Sequence, residues 1–122
     1  MVVDASFVVD ALVRPDAPPL PVALMRAPHL IDLEVANALR GHVRHGSLRA
    51  DEASSALGVL GELPIERFPH LSLLDAIWAL CGSFTAYDAS YVALAQAFAE
   101  PLVTADARLA RVARRYVDVE LA

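Results

Sequence analysis

Four acids in this chain follow apolar runs or open helix-like stretches. Asp4 ends the run Met1-Val2-Val3, and Asp106 comes two residues after Leu102-Val103-Thr104. Glu34 and Asp88 each stand in the first turn of a helical pattern. If the fold gathers them, two carboxylates about 4 Å apart repel by roughly 4 kcal/mol at an effective dielectric near 20. Four together would protonate or separate unless a cation sat among them. An all-oxygen set suits Mg²⁺ or Mn²⁺, which keep several waters and complete their shell with substrate phosphate. Zinc would call for histidine or cysteine. His42 and His45 share a helix face but lack a third ligand, and Cys81 in AIWALCG reads as a buried, inert thiol. Acids at helix starts also have an ordinary role as caps. Capping does not explain acids after the two most apolar strands, where Asn, Ser or Gly would serve as well.

Small polar residues accompany these acids. Ser6 and Thr104 stand two residues from Asp4 and Asp106, placed to bond a carboxylate or a bound water. Asn37 is one turn after Glu34, on the same helix face. Asp10, Asp32 and Asp75 read as solvated or capping residues. The basic residues are all arginine and cluster in RGHVRHGSLR and ARLARVARR. The second cluster begins just after Asp106, so Arg108 and Arg111 are the candidates for gripping a phosphate backbone.

The pattern predicts strands at Met1–Asp4, Ala27–Ile31, Ile65–Phe68, Leu102–Thr104 and Val117–Leu121. Helices are expected over Ala5–Val13, Leu33–His45 with Asp32 as its cap, Ala50–Leu63, Ser72–Leu80, Tyr87–Ala99 and Ala107–Arg115. A short helix is expected over Val22–Arg26, after the proline-rich loop RPDAPPLP. Tyr87–Ala99 is apolar on nearly every side and reads as the most buried helix. Strands alternating with helices predict an α/β fold with a parallel sheet covered on both faces. Ligands gather at the carboxyl ends of such strands, which is where these acids fall.

The length of 122 residues fits one domain over 1–122, without linker or repeats. A hydrophobic fraction of 57% is more than so small a domain can bury, which predicts exposed apolar surface and hence a partner. Charge-free runs are too short to span a membrane, and the first residues lack a signal-peptide pattern; the cytoplasm is the expected compartment. The net charge of −5 opposes a simple phosphate-binding surface, but four of the acids belong to the candidate site. A haloacid-dehalogenase-like phosphatase needs a second Asp two residues after the first, where Ser6 stands. A phospho-receiver domain needs a lysine, and the chain has none. The phosphate-binding loop GxxxxGK[ST] is absent.

Taken in order, VVDAS, LEVANALRG, YDASYVALA and LVTADARLA resemble the PIN-domain nucleases, more narrowly the VapC toxins of bacterial toxin–antitoxin pairs. The resemblance covers nearly the whole chain. It implies a five-stranded parallel sheet between helices and RNA cleavage with Mg²⁺ or Mn²⁺. The acidic metal site would be Asp4, Glu34, Asp88 and Asp106, with Ser6, Thr104 and Asn37 in support. It further implies a homodimer blocked by a VapB-type antitoxin. Some relatives carry a further acid shortly after the fourth; Arg108 and Leu109 occupy that region here, which leaves one or two metals open. The competing reading is a PIN-fold module that binds RNA or protein without turnover.

Overall fold

The computed structural model describes residues 1–21 and 23–122. Five strands, β1 (Val2–Val3), β2 (Met25–Pro28), β3 (Ile65–Phe68), β4 (Leu102–Thr104) and β5 (Val119–Leu121), form one all-parallel sheet in the order β3-β2-β1-β4-β5. Six helices connect and flank them: α1 (Ala5–Val13), α2 (Ile31–Arg44), α3 (Ala50–Glu62), α4 (Leu74–Leu80), α5 (Ala86–Phe98) and α6 (Ala107–Ala113). Parallel neighbours need such crossovers, and a sheet covered by them reads as short apolar runs. Val2, Val3, Leu102 and Val103 are accordingly buried.

The central helix is α5. Every residue from Ala89 to Ala95 is buried, and the helix packs on β1, β2 and β4. Its alanines bring the backbone close to the sheet, and this middle stretch, apolar on nearly every side, presents no solvent face, while Tyr87 and Phe98 near its ends are exposed. It ends at Ala99, held in the left-handed region at φ 51 and followed by Glu100-Pro101.

Three expectations need correction. No short helix spans Val22–Arg26: Ala23 and Leu24 lie outside any helix, and Met25-Arg26 pair with Ile65-Glu66 as the start of β2, which ends at Pro28 rather than Ile31. Val22 lies outside the described residues. The cause is pairing with β1 and β3, which overrides local propensity. Asp32 does not cap α2. The helix starts at Ile31, and the Asp32 carboxylate takes a two-pronged bond from Arg67 of β3, Nε–Oδ2 2.8 Å and Nη2–Oδ1 2.7 Å. A guanidinium fork outcompetes backbone capping for a carboxylate. Cys81 is half-buried rather than buried, because α4 ends at Leu80 and the thiol sits at its terminus.

The predicted apolar excess is present on the surface. Leu33, Leu71, Tyr87 and Trp78 are 75%, 74%, 67% and 80% exposed. Among the described residues no helix is long and apolar enough to cross a membrane.

Candidate active site

The strand order turns back between β1 and β4: β2 and β3 extend the sheet on one side of β1, β4 and β5 on the other. Such a switch point opens a crevice at the carboxyl ends of its two strands. Val2 pairs with Leu102 and Val3 with Val103, so the next residues out are Asp4 and Thr104.

Asp4 is 5% exposed and accepts three hydrogen bonds. Ser6 Oγ donates to Oδ1 at 2.7 Å, Phe7 N–H to the same oxygen at 3.0 Å, and Thr104 Oγ1 to Oδ2 at 2.6 Å. The two hydroxyls also accept, Ser6 from Ala105 N–H and Thr104 from Asp106 N–H, both at 3.0 Å. Each hydroxyl has one proton, already given to Asp4, so their 3.1 Å approach is packing and not a further bond. This knot ties α1 to the β4–α6 turn across the sheet.

The other acids arrive from three helices. Asp106 caps α6, its Oδ1 accepting from Arg108 N–H at 2.8 Å and Leu109 N–H at 3.2 Å. Asp88 lies in the first turn of α5, where its backbone N–H is capped by Thr85 Oγ1 at 3.1 Å. Glu34 lies in the first turn of α2, and Oε1 accepts from the hydroxyl of Tyr91 at 2.6 Å. Contrary to the expectation from sequence, the two acids that follow the apolar strands, Asp4 and Asp106, are the ones that cap helices, and capping leaves Asp88 and Glu34 unexplained. The DAS phrase, shared by both, sits in two registers: Asp4 precedes its helix, while Asp88 is inside one.

Electrostatically the four form one group. Burial, first, raises the carboxyl of Asp4 above its ordinary range, against its hydrogen bonds, and the charge of Asp106 adds to this. Burial also raises Glu34, opposed by the Tyr91 bond and helped by the charges of Asp88 and Asp4. Asp88 is raised by burial and by Asp106. The Tyr91 phenol is pushed far up by burial and then by its bond to Glu34. Among the described residues five acids elsewhere are matched, Asp10 and Asp16 with Arg14, Asp32 with Arg67, Asp51 with Arg49 and Glu100 with Arg26, while Glu52, Glu62, Glu66, Asp75, Asp118 and Glu120 form no salt bridge. Among the described residues none of the four site acids has an arginine partner.

Unmatched, mutually repelling, all-oxygen donors fit a hard divalent cation in chemistry. They are not a finished cage. Among the described residues no three Asp, Glu, His or Cys side chains stand in an arrangement that could already hold a metal ion.

Two clefts flank the acids. One of about 470 Å³ holds Asp88 and Asp106 with Arg108 and Arg111 on its wall. The other, about 390 Å³, is lined by Ser6, Asp10, Glu34 and Ala105. Arg114 and Arg115 open instead onto a separate cleft of about 590 Å³ beside Glu100 and Asp118, so the second arginine cluster is divided between two places. Asn37 is exposed and makes no side-chain hydrogen bond to Glu34 among the described residues. Sequence reasoning passed over Tyr91. Its only signal was a single phenol in an otherwise aliphatic buried run.

A parallel five-stranded sheet with carboxylates at the switch of its central strands defines a PIN-like α/β protein. The crystal structure of PAE2754 from Pyrobaculum aerophilum shares the fold, with a TM-score of 0.72 over 96% of this chain and 88% of that one at 24% identity. No protein-family profile matches the chain. Curated relatives do. Ribonuclease VapC1 of Mycobacterium tuberculosis (strain H37Rv) is 42% identical over 116 residues, covering 89% of this chain and 87% of that protein. Ribonuclease VapC9 of the same strain is 40% identical over 111 residues, with 89% and 87% covered. Ribonuclease VapC3 of Pyrobaculum aerophilum is 40% identical over 121 residues, with 90% and 92% covered. The chain belongs to the VapC ribonuclease family.

Proposed function

We propose that this protein is a metal-dependent endoribonuclease of the VapC type, hydrolysing RNA phosphodiester bonds at the crevice between β1 and β4. The observation that carries the reading is the group of four acids anchored on Asp4 at the sheet switch, three of them with carboxyls raised by burial and by one another's charge, and none with an arginine partner among the described residues. Asp4 and Asp106 serve as the principal ligands of Mg²⁺ or Mn²⁺, and Glu34 and Asp88 complete the ring directly or through water. A divalent ion held there would supply charge compensation and lower the pKa of its water, the chemistry needed for hydrolysis at phosphorus. Ser6 and Thr104 hold the Asp4 carboxylate fixed through this. Arg108 and Arg111 take the RNA backbone along the cleft beside Asp106. Exposed Leu71, Trp78 and Tyr87 supply apolar surface for a VapB-type antitoxin and a second copy of the chain in the cytoplasm.

The test is cleavage of a mixed RNA pool with Mn²⁺, with Mg²⁺ and with EDTA, followed by sequencing of fragment ends. We expect metal-dependent cuts with 5′-phosphate and 3′-hydroxyl ends, reduced at least about 100-fold in Asp4→Asn, as expected for loss of a principal ligand. The amide keeps the shape, and the hydroxyls of Ser6 and Thr104 can reorient to it. A folded Asp4→Asn protein that cuts at the wild-type rate would refute the assignment. Metal binding by the wild type without cleavage would move the reading to a binding module.

A further inference from the structure

We infer that Tyr91 is a positioning residue for the acidic site: its hydroxyl fixes one oxygen of Glu34 and leaves the other available to the cation. This inference rests on the metal-site reading above. Tyr91 is 1% exposed, in the middle of α5, where its buried neighbours are Ala, Ser, Val and Leu. A phenylalanine would fill the same volume and place no polar group in the core. The hydroxyl finds its acceptor on another helix, 57 residues away, in Glu34 Oε1 at 2.6 Å. Among the described residues this is the one side-chain hydrogen bond that Glu34 makes; it has no arginine and caps no backbone N–H.

A phenol meeting a carboxylate donates, and a bond to a charged acceptor is among the stronger kinds. Its consequence for the site is conformational. Glu34 is half-buried and has three rotatable bonds, so without a restraint it would sample several rotamers and pay that ordering when a cation arrives. Tied to a rigid, buried ring, it is ordered beforehand. Partners that orient a metal ligand in this way change affinity about 10- to 100-fold when removed. The rival explanation is that Glu34 merely satisfies a buried hydroxyl. In that case the bond would matter to folding and not to the cation.

Thermal melting of the RNA-free protein, titrated with MnCl₂, separates the two. For Tyr91→Phe we expect a metal-free Tm within a few degrees of wild type and a Mn²⁺ midpoint raised about tenfold. Cleavage lost at low Mn²⁺ should return at high Mn²⁺. In a Glu34→Gln background, adding Tyr91→Phe should shift the midpoint no further, because the route through Glu34 is already gone. A Tyr91→Phe protein that melts lower yet keeps the wild-type Mn²⁺ midpoint overturns the inference, as do independent shifts in the two backgrounds. A wild-type protein whose Tm ignores Mn²⁺ overturns the metal reading itself, and that outcome is distinct from the others.

Discussion

Thr104 shows how much one hydroxyl can organise. It is fully buried, gives its proton to Asp4 and accepts from the backbone of Asp106, so it links two of the four acids through one atom. Thr104→Val keeps the shape and strands both partners. We expect a loss of about 2 kcal/mol in stability, since a buried acceptor left unmade costs about 1–3 kcal/mol. Cleavage should fall with it, as Asp4 loses its support on one side. Thr104→Ser should keep both bonds and most of the activity, losing only about 1 kcal/mol for the methyl group. Denaturant melts and cleavage rates of the pair check this; a valine variant matching wild type in both would show the hydroxyl to be idle. At this scale the site was legible where chemistry is local. Ser6 bonds the carboxylate two residues before it, as its spacing suggests, whereas Thr104 takes only the backbone N–H of Asp106 and gives its proton to Asp4, 100 residues away. Tyr91 is not local to Glu34, and only the packing of α5 on α2 joins them. Asn37 keeps the helical spacing from Glu34 but lies on the exposed face, without a side-chain bond to Glu34 among the described residues.

Elements were read well where their signals were internal. The bounds of α1 and β4 follow from largely apolar runs ended by Pro or a turn, and those of β3, Ile65-Glu66-Arg67-Phe68, from the flanking Pro64 and Pro69. Those of β2 depend on pairing partners distant in sequence, which is why Val22–Arg26 looks helical in isolation and Met25-Arg26 are strand in the fold. Asp32 has an attractive N-cap position, but its partner Arg67 lies 35 residues away. The end of α5 offers a test at this scale. Ala99 sits at φ 51, a conformation in which its Cβ crowds the carbonyl and which glycine, lacking a Cβ, adopts freely, and the position is exposed. Ala99→Gly relieves the left-handed strain of about 1–2 kcal/mol and gives back part of it to the greater freedom of glycine when unfolded. The expected net is a gain of about 0.5 kcal/mol, read as a small rise in Tm. A clear fall would mean that the left-handed turn carries no strain to relieve.

Across the whole molecule, charge is arranged unevenly. Five acids outside the site are paired with arginines, while the four at the crevice between β1 and β4 have no arginine among the described residues and three of them feel one another's charge. The cost of that choice depends on pH, and its sign follows from the shifts. Asp4, Glu34 and Asp88 all have carboxyls raised in the fold, chiefly by burial. A raised pKa means that the folded state holds its proton more tightly than the unfolded chain. Their favourable contribution is therefore complete below the unfolded value, near pH 4, and is lost as pH rises through the raised values. Asp16, lowered by its Arg14 bonds, runs the other way, but it is fully exposed and weighs little. In EDTA, the Tm attributable to the site should thus decline as the pH rises above the ordinary carboxyl range, at roughly 4 °C per kcal/mol for a chain of this size. Asp88→Asn removes one of the repelling charges and should flatten the decline while raising the metal-free Tm at neutral pH. Mn²⁺ binds the deprotonated acids, so its stabilisation should be larger at pH 7.5 than at pH 5. Melting curves of wild type and Asp88→Asn across this range, with EDTA and with Mn²⁺, decide the matter. A metal-free wild type that gains stability steadily from pH 4 to 7, unchanged by Asp88→Asn, would mean that the four acids do not act as one repelling group.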